Sequence, residues 1–295
     1  MKFGLGTVQF GVDYGISNNR GCVPESEVEN ILLEAEGSGV WLLDTAAHYG
    51  TSEEVIGRNL PPDHRFKIVT KTMIVSSDKI TASDEKRLED TLNESLRRLK
   101  SNSVYGLLVH SADNVLAPGG HHIVNALLRV KAQGKTQKIG VSVYSPDQIS
   151  SILEIFTPDL IQLPINIFDQ RMLKTGTLNK LKSLGVEIHA RSLYLQGLLL
   201  MPLGKLDSRF MDYLPHFELY QEFLIEKKMT PIQAVFAFVR GLEGLIDVAL
   251  IGVTNKNELA ENACNWKAGS SRRQDFSHLS TDEEFIINPL SWLES

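Results

Sequence analysis

The sequence predicts an α/β protein whose parallel strands close into a barrel, and three observations carry that expectation. Short runs rich in Val, Ile and Leu recur along the 295 residues, each followed by a longer segment of helical periodicity, the mark of repeated βα units. There are about eight such runs, the number that closes an α/β barrel, and the chain has the ordinary length of one. The rival architecture, a doubly wound open sheet, calls for a G-x-G-x-x-G turn after the first strand. Here Gly4-Leu5-Gly6-Thr7-Val8-Gln9 lacks the third glycine, and a loop runs on to about Pro24.

Taken in order, the first strand is FGLGT at 3–7. After the loop, Pro24, Glu25 and Ser26 open a helix through Ala35, with Val28, Ile31, Leu32 and Ala35 on one face and Gly37 and Gly39 expected to stop it. VWLLD at 40–44 and KIVTK at 67–71 follow as strands. Residues 84–100 place Leu88, Leu92, Leu96 and Leu99 at three- and four-residue steps, the stripe of an outer-ring helix. YGLLVH at 105–110, KIGVS at 138–142, LIQL at 160–163 and VEIHAR at 186–191 supply four more strands. Thr230-Pro231 opens a helix through Arg240, and DVALI at 247–251 is the last strand. No linker rich in Pro, Gly or Ser divides the chain, so a single domain over 1–295 is expected, with 265–295 as a C-terminal tail. With the first strand starting so early, Met1 and Lys2 are the residues expected to cover the barrel bottom.

Composition narrows the partners. The formal net charge is −6, and no basic run is denser than short pairs such as Arg97-Arg98 and Arg272-Arg273, so nucleic-acid binding is not expected. Cys22 and Cys264 have no metal-ligand spacing, which points to free thiols in a reducing compartment. No signal-like segment and no long apolar stretch is present, so the reading is cytoplasmic, with no membrane partner. His121-His122 reads as a surface pair at a helix start whose rings point apart, and no metal site is expected.

Barrel enzymes carry their reactive groups at the C-terminal ends of strands. Asp44, Lys71 and His110 end the second, third and fourth strands, and Tyr49 follows in the loop after Asp44. A phenol with a reference pKa near ~10 is a poor proton donor unless its anion is stabilised, which a lysine ammonium beside it would do. Asp44 would keep Lys71 charged and placed, and His110 would orient a carbonyl or relay a proton. Taken singly, each has a plainer reading: Asp44 as a helix cap, His110 as a hydrogen-bonded structural residue, Tyr49 as a packing residue.

The stretch DTAAHYGTSEEVIG at 44–57, Lys71 in VTK, His110 in LLVHS and IGVS at 139–142 together resemble the aldo-keto reductase family, in order over nearly the whole chain. That resemblance implies a (β/α)8 TIM barrel, a catalytic tetrad of Asp44, Tyr49, Lys71 and His110, and an enzyme reducing a carbonyl to an alcohol with NADP, NAD being the alternative. It implies that Ser142 and Gln162 hold the nicotinamide, with Val143 where asparagine is usual, and that Gly6 and Thr7 line the same site. Arg191 stands where an aromatic ring commonly stacks on the nicotinamide; a cation there would favour the reduced form. IGVTNKNELAEN at 251–262 resembles the adenosine-phosphate segment, assigning Gly252, Thr254, Lys256, Glu258, Glu261 and Asn262 to the cofactor. Glu258 aligns with the arginine that pairs with a 2′-phosphate; a carboxylate there would repel phosphate and accept from a ribose hydroxyl.

His48, Gln196 and Arg191 make the expected mouth polar, which points to a sugar or small hydroxylated aldehyde or ketone as substrate. Trp292 is assigned to the pocket wall; Trp266 and Phe276 are candidates for the same role, and docking of the tail is the competing reading. Two other functions fit the same residues: a sugar isomerase, epimerase or lyase with a retained cofactor or none, and a non-catalytic cofactor-sensing subunit. A monomer is the default expectation.

Overall fold

The computed structural model describes residues 1–268 and 274–293; the Arg272-Arg273 pair lies outside them. Strands β1 (Lys2–Gly6), β2 (Leu42–Asp44), β3 (Lys67–Lys71), β4 (Val104–Val109), β5 (Thr136–Ser142), β6 (Leu160–Pro164), β7 (Glu187–Arg191) and β8 (Val248–Gly252) pair in sequence order, and β8 closes on β1. All pairings are parallel. Helices α1 (Glu25–Ser38), α2 (Ser52–Asn59) and α3 (Ala82–Arg98) follow the first three strands. After β4 come α4 (Asp113–Leu116) and α5 (His121–Ala132), after β5 α6 (Pro146–Ile155), and after β6 α7 (Arg171–Lys174) and α8 (Thr177–Ser183). The connection from β7 to β8 carries α9 (Leu214–Lys227) and α10 (Pro231–Gly241); α11 (Lys256–Ala268) follows β8, and α12 (Glu284–Ile287) lies in the tail.

The expected strands agree with these to within about two residues, the ordinary error of boundaries read from sequence. β2 starts at Leu42 and not at Val40, because the Val40 N–H is still bonded to the Ala35 carbonyl of α1. Gly37 does not stop α1; the helix runs through it, a position that costs about 1 kcal/mol against alanine. The stop is Gly39, whose φ of 82° is the left-handed cap. α3 and α10 begin at capping boxes, Thr81 with Asp84 and Thr230 with Gln233, the latter with Pro231 in the first turn.

The apolar residues divide into two cores. One lies between strands and helices; the other fills the barrel interior with Leu42, Val69, Leu108, Leu160, Val248 and Leu250. Glycine makes room for the inner layer: a Cβ at Gly4 would lie 2.6 Å from Leu250 Cδ2, and one at Gly106 2.8 Å from Leu160 Cδ2. The bottom of the barrel is not left to Met1 and Lys2. Trp41 and Tyr105 pack under the interior layer, and Glu187 accepts hydrogen bonds there from Tyr105 (2.8 Å) and Lys138 and pairs with His189 Nε2 at 2.7 Å.

His121 and His122 do not point apart: their ring centroids are 4.2 Å from one another, with His122 Nδ1 turned onto Glu85 of α3 at 2.6 Å. The tail docks on the helices. Phe276 packs on Phe223 and Phe238, while Trp292 sits edge-on against Phe210 and donates its Nε1–H to the Phe285 carbonyl. Among the described residues no helix is long and apolar enough to cross a membrane.

Candidate active site

Side chains alternate along a strand, so the residue two positions beyond an interior plug also points inward. Beyond Leu42 stands Asp44, beyond Val69 Lys71, beyond Leu108 His110, and beyond Leu160 Gln162. Sequence alternation alone therefore delivers four polar groups to the same end of the barrel. They line one cleft of about 430 Å³ together with Tyr49.

The segment 44–57 builds the local frame. Gly50, at φ 53°, turns the chain after Tyr49, and Gly11 lies so close that a Cβ there would meet the Tyr49 carbonyl oxygen at 1.9 Å. The Ser52 hydroxyl donates to the Thr7 carbonyl at 2.9 Å, and the Thr7 hydroxyl donates to the Asp44 carbonyl at 2.9 Å, locking β1 to β2. Glu53, 1% exposed, accepts from Thr70 at 2.6 Å and pairs with Arg98 at 3.3 Å, which fixes the strand carrying Lys71. Much of the motif thus serves to hold Asp44, Tyr49 and Lys71 in place.

Lys71 Nζ donates to Asp44 Oδ2 at 2.8 Å and to the Thr45 carbonyl at 2.9 Å, and it lies 4.8 Å from the centre of the Tyr49 ring. Gln162 Nε2 donates to the other Asp44 oxygen at 2.7 Å. Asp44 is no helix cap; its carboxylate is engaged by Lys71 and Gln162. Burial opposes the charge on Lys71, but Asp44 and Tyr49 outweigh it and hold the ammonium above its ordinary range. For Tyr49 the balance runs against the sequence expectation: burial raises the phenol by more than the Lys71 ammonium lowers it. His110, its ring centre 5.8 Å from that of Tyr49, is pushed down to about 3 by burial and by the neighbouring Lys71, His48 and Arg191.

The far end of the cleft is formed by the start of α11. Glu258 accepts from the Thr254 N–H at 2.7 Å, the Thr254 hydroxyl at 3.0 Å and Asn255 Nδ2 at 2.8 Å, while its own N–H donates to Asn255 Oδ1 at 3.0 Å. The Lys256 N–H donates to Glu27 of α1 at 2.8 Å. Tyr194 donates to Asn262 Oδ1.

Of the residues the sequence assigned to a cofactor, Gly6, Thr7, Ser142, Gln162, Arg191, Gly252, Thr254, Glu258, Glu261 and Asn262 all line this cleft. The Thr7 hydroxyl, however, is turned away into the Ser52 and Asp44 network. Lys256 does not line the cleft; as the exposed first residue of α11 it borders a neighbouring recess with Arg20 and Glu27. Gln196 lines the cleft, but His48 is exposed beside it and accepts the Ile74 N–H at 3.0 Å. Trp292 is a correction: 3% exposed against Phe210, it is absent from the lining. Trp266 likewise stacks on Phe3 at 5.1 Å, away from the lining. Sequence reading missed Gln9, Tyr14, Asn18 and Arg20 of the loop after β1, and Tyr144 and Tyr194. The length of that loop was the available signal.

The fit to a dinucleotide rests on two polar atoms left over. Gln162 Oε1 is buried in the cleft lining without a hydrogen-bond partner, as is Gln9 Oε1 beside Gly252. Such acceptors call for a donor from a ligand, and a carboxamide supplies one. At Gly252 a Cβ would come within 2.9 Å of Gln9 Oε1, so the glycine keeps this wall open.

The model of the Aldo/keto reductase family matches residues 2–279. An aldo-keto reductase of Bacillus subtilis is 25% identical over 178 residues, covering 58% of this chain and 52% of the relative. The L-glyceraldehyde 3-phosphate reductase of Escherichia coli is 28% identical over 204 residues, covering 63% and 58%. The chain thus spans about half the length of the curated relatives it matches. Among solved structures, an aldo-keto reductase from Bacillus halodurans in its holo form superposes with a TM-score of 0.75 at 19% identity, over 95% of this chain and 92% of that one. The glycerol dehydrogenase of Gluconobacter oxydans gives 0.68 at 21%, over 92% and 87%. These structural likenesses establish the barrel.

Proposed function

The chain belongs to the aldo/keto reductase family, a family of oxidoreductases, and from that premise we propose that it reduces a small hydroxylated aldehyde, ketone or sugar to the alcohol, with Tyr49 as the proton donor. The observation that carries this reading is the buried Asp44–Lys71 pair at 2.8 Å, with its ammonium 4.8 Å from the Tyr49 ring centre, in the cleft that His110 also lines.

Gln162 and Ser142 are the residues that would hold a nicotinamide beside this group, and its reduced form would supply the hydride for the carbonyl carbon. Tyr49, protonated at neutral pH, gives its hydroxyl proton to the carbonyl oxygen. The Lys71 ammonium lies where the phenolate charge develops, in a site of low dielectric, and Asp44 keeps that ammonium from drifting or losing its proton. His110 is neutral, so it positions the carbonyl oxygen by hydrogen bonding and is not the acid. Bulk water then reprotonates Tyr49. The Escherichia coli relative, named for a reaction on a small phosphorylated aldehyde, supports a hydroxylated substrate of this size.

For the cofactor, family habit leans to NADP, but the charges at α11 favour NADH. The amides that would meet a phosphate are already engaged by carboxylates, Thr254 by Glu258 and Lys256 by Glu27. Displacing a carboxylate by a phosphate beside Glu258 and Glu261 sets like charges together. Titration with NADH and with NADPH, followed by tryptophan fluorescence, is expected to give NADH an affinity about tenfold or more higher. Equal or reversed affinities overturn the cofactor preference; binding of neither overturns the reductase reading.

A further inference from the structure

The catalytic end of the cleft carries one cation more than its chemistry uses. Asp44 and Lys71 cancel, and Tyr49 and His110 are uncharged at neutral pH. Arg191, at the inward end of β7, lines the same cleft, and among the described residues no carboxylate pairs with it. Its guanidinium is nonetheless held firmly. One amino group donates to the Val143 carbonyl at 3.0 Å, the other to the Ser192 hydroxyl at 3.2 Å, and Tyr144 covers one face at 4.3 Å. Two of the five donors of a guanidinium are thereby engaged by neutral acceptors, which fix the fork without neutralising it.

The backbone next to it is bent to this end. Ser192, Leu195 and Gln196 all have φ between 50° and 60°, a region non-glycine residues rarely adopt. Conformations of this cost persist where the surroundings enforce them, commonly at ligand sites. Here they bring Gln196 against the loop after β1, where its backbone carbonyl accepts from the Ser17 hydroxyl at 3.5 Å. Tyr14, Gln196 and Arg191 thus face one space beside Tyr49 and His110.

We propose that Arg191 anchors an anionic group, a carboxylate or a phosphate, on the carbonyl substrate, with Tyr14 and Gln196 as neutral polar partners. This rests on the reductase reading and narrows its substrate to small oxo-acids or phosphorylated carbonyl compounds. A preformed guanidinium fork suits both anions, which bind it through two parallel hydrogen bonds. The sequence-level alternative, a guanidinium stacked on the nicotinamide, predicts a different dependence on Arg191.

The test compares wild type with Arg191→Gln and Arg191→Lys on three carbonyl compounds of similar size: glyoxylate, glycolaldehyde phosphate and neutral glycolaldehyde. The expected wild-type preference in kcat/KM is about a hundredfold for at least one anion over the neutral compound. It should collapse mainly through KM in Arg191→Gln and return in part in Arg191→Lys, while the NADH dissociation constant moves far less. Which anion is preferred separates carboxylate from phosphate. Loss of all three activities in parallel, or a large loss of NADH affinity, overturns the proposal in favour of a cofactor contact. If no compound is reduced, calorimetry with oxamate and neutral oxamide still decides. Oxamate binding that is lost in Arg191→Gln supports the anion site, and no binding in wild type overturns it.

Discussion

At Tyr49 and His110, burial decides the charge state. The sequence made Lys71 the natural means of easing proton loss from Tyr49, and the contact exists, but a phenol enclosed in the cleft loses more solvation than one ammonium returns. Tyr49 therefore remains protonated through and beyond the usual tyrosine range near ~10. His110 is depressed to about 3 and stays neutral. The rate profile is accordingly expected to show no limb from His110 between about pH 5 and 8, with loss of the acid only at alkaline pH. Measuring kcat/KM against pH for wild type and His110→Gln checks this; a limb near ~6.5 that vanishes in the variant would contradict it. The identities of the four residues were legible because each sits at a strand end or in one dense motif. Their protonation states depend on enclosure by other segments, which no local pattern carries.

At the scale of elements, α11 and the loop after β1 mark the two ends of what sequence reveals. The start of α11 was readable: Glu258 stands at a helix N-terminus, where a carboxylate is favoured. The structure adds that it accepts from Thr254 and Asn255. Replacing it by arginine removes that cap at a cost of about 1 kcal/mol and exchanges a repelling charge for an attracting one. Glu258→Arg is expected to unfold at lower temperature while binding NADPH about tenfold more tightly; an unchanged NADPH affinity would count against the arrangement. The loop after β1 gave no periodicity to read, and its glycines act by fitting other segments, as Gly11 fits the Tyr49 carbonyl. Trp292 was misplaced for the same reason, since an aromatic in a tail can face the cleft or Phe210 and only packing chooses.

Over the whole molecule, the barrel separates chemistry at one end from a polar plug at the other. Burial alone would raise Glu187, but hydrogen bonds from His189, Lys138 and Tyr105 bring it down to about 2. A folded-state pKa below the unfolded value of ~4.3 contributes stability in full above that value, lost as pH falls toward about 2. The urea midpoint of Glu187→Gln should therefore lie below that of wild type at neutral pH and converge with it on acidification; a pH-independent gap would contradict this role. The closed barrel itself was legible from its βα alternation, whereas the plug, built from residues far apart in sequence, was not. The central claim is that this barrel reduces carbonyl compounds through Tyr49. The most direct measurement follows NADH absorbance with glyoxylate or glycolaldehyde as oxidant, in wild type and Tyr49→Phe, with cofactor affinity determined for both. Carbonyl-dependent oxidation that falls by about a hundredfold or more in the variant, at unchanged NADH affinity, is the predicted result. A variant that keeps the wild-type rate would contradict it.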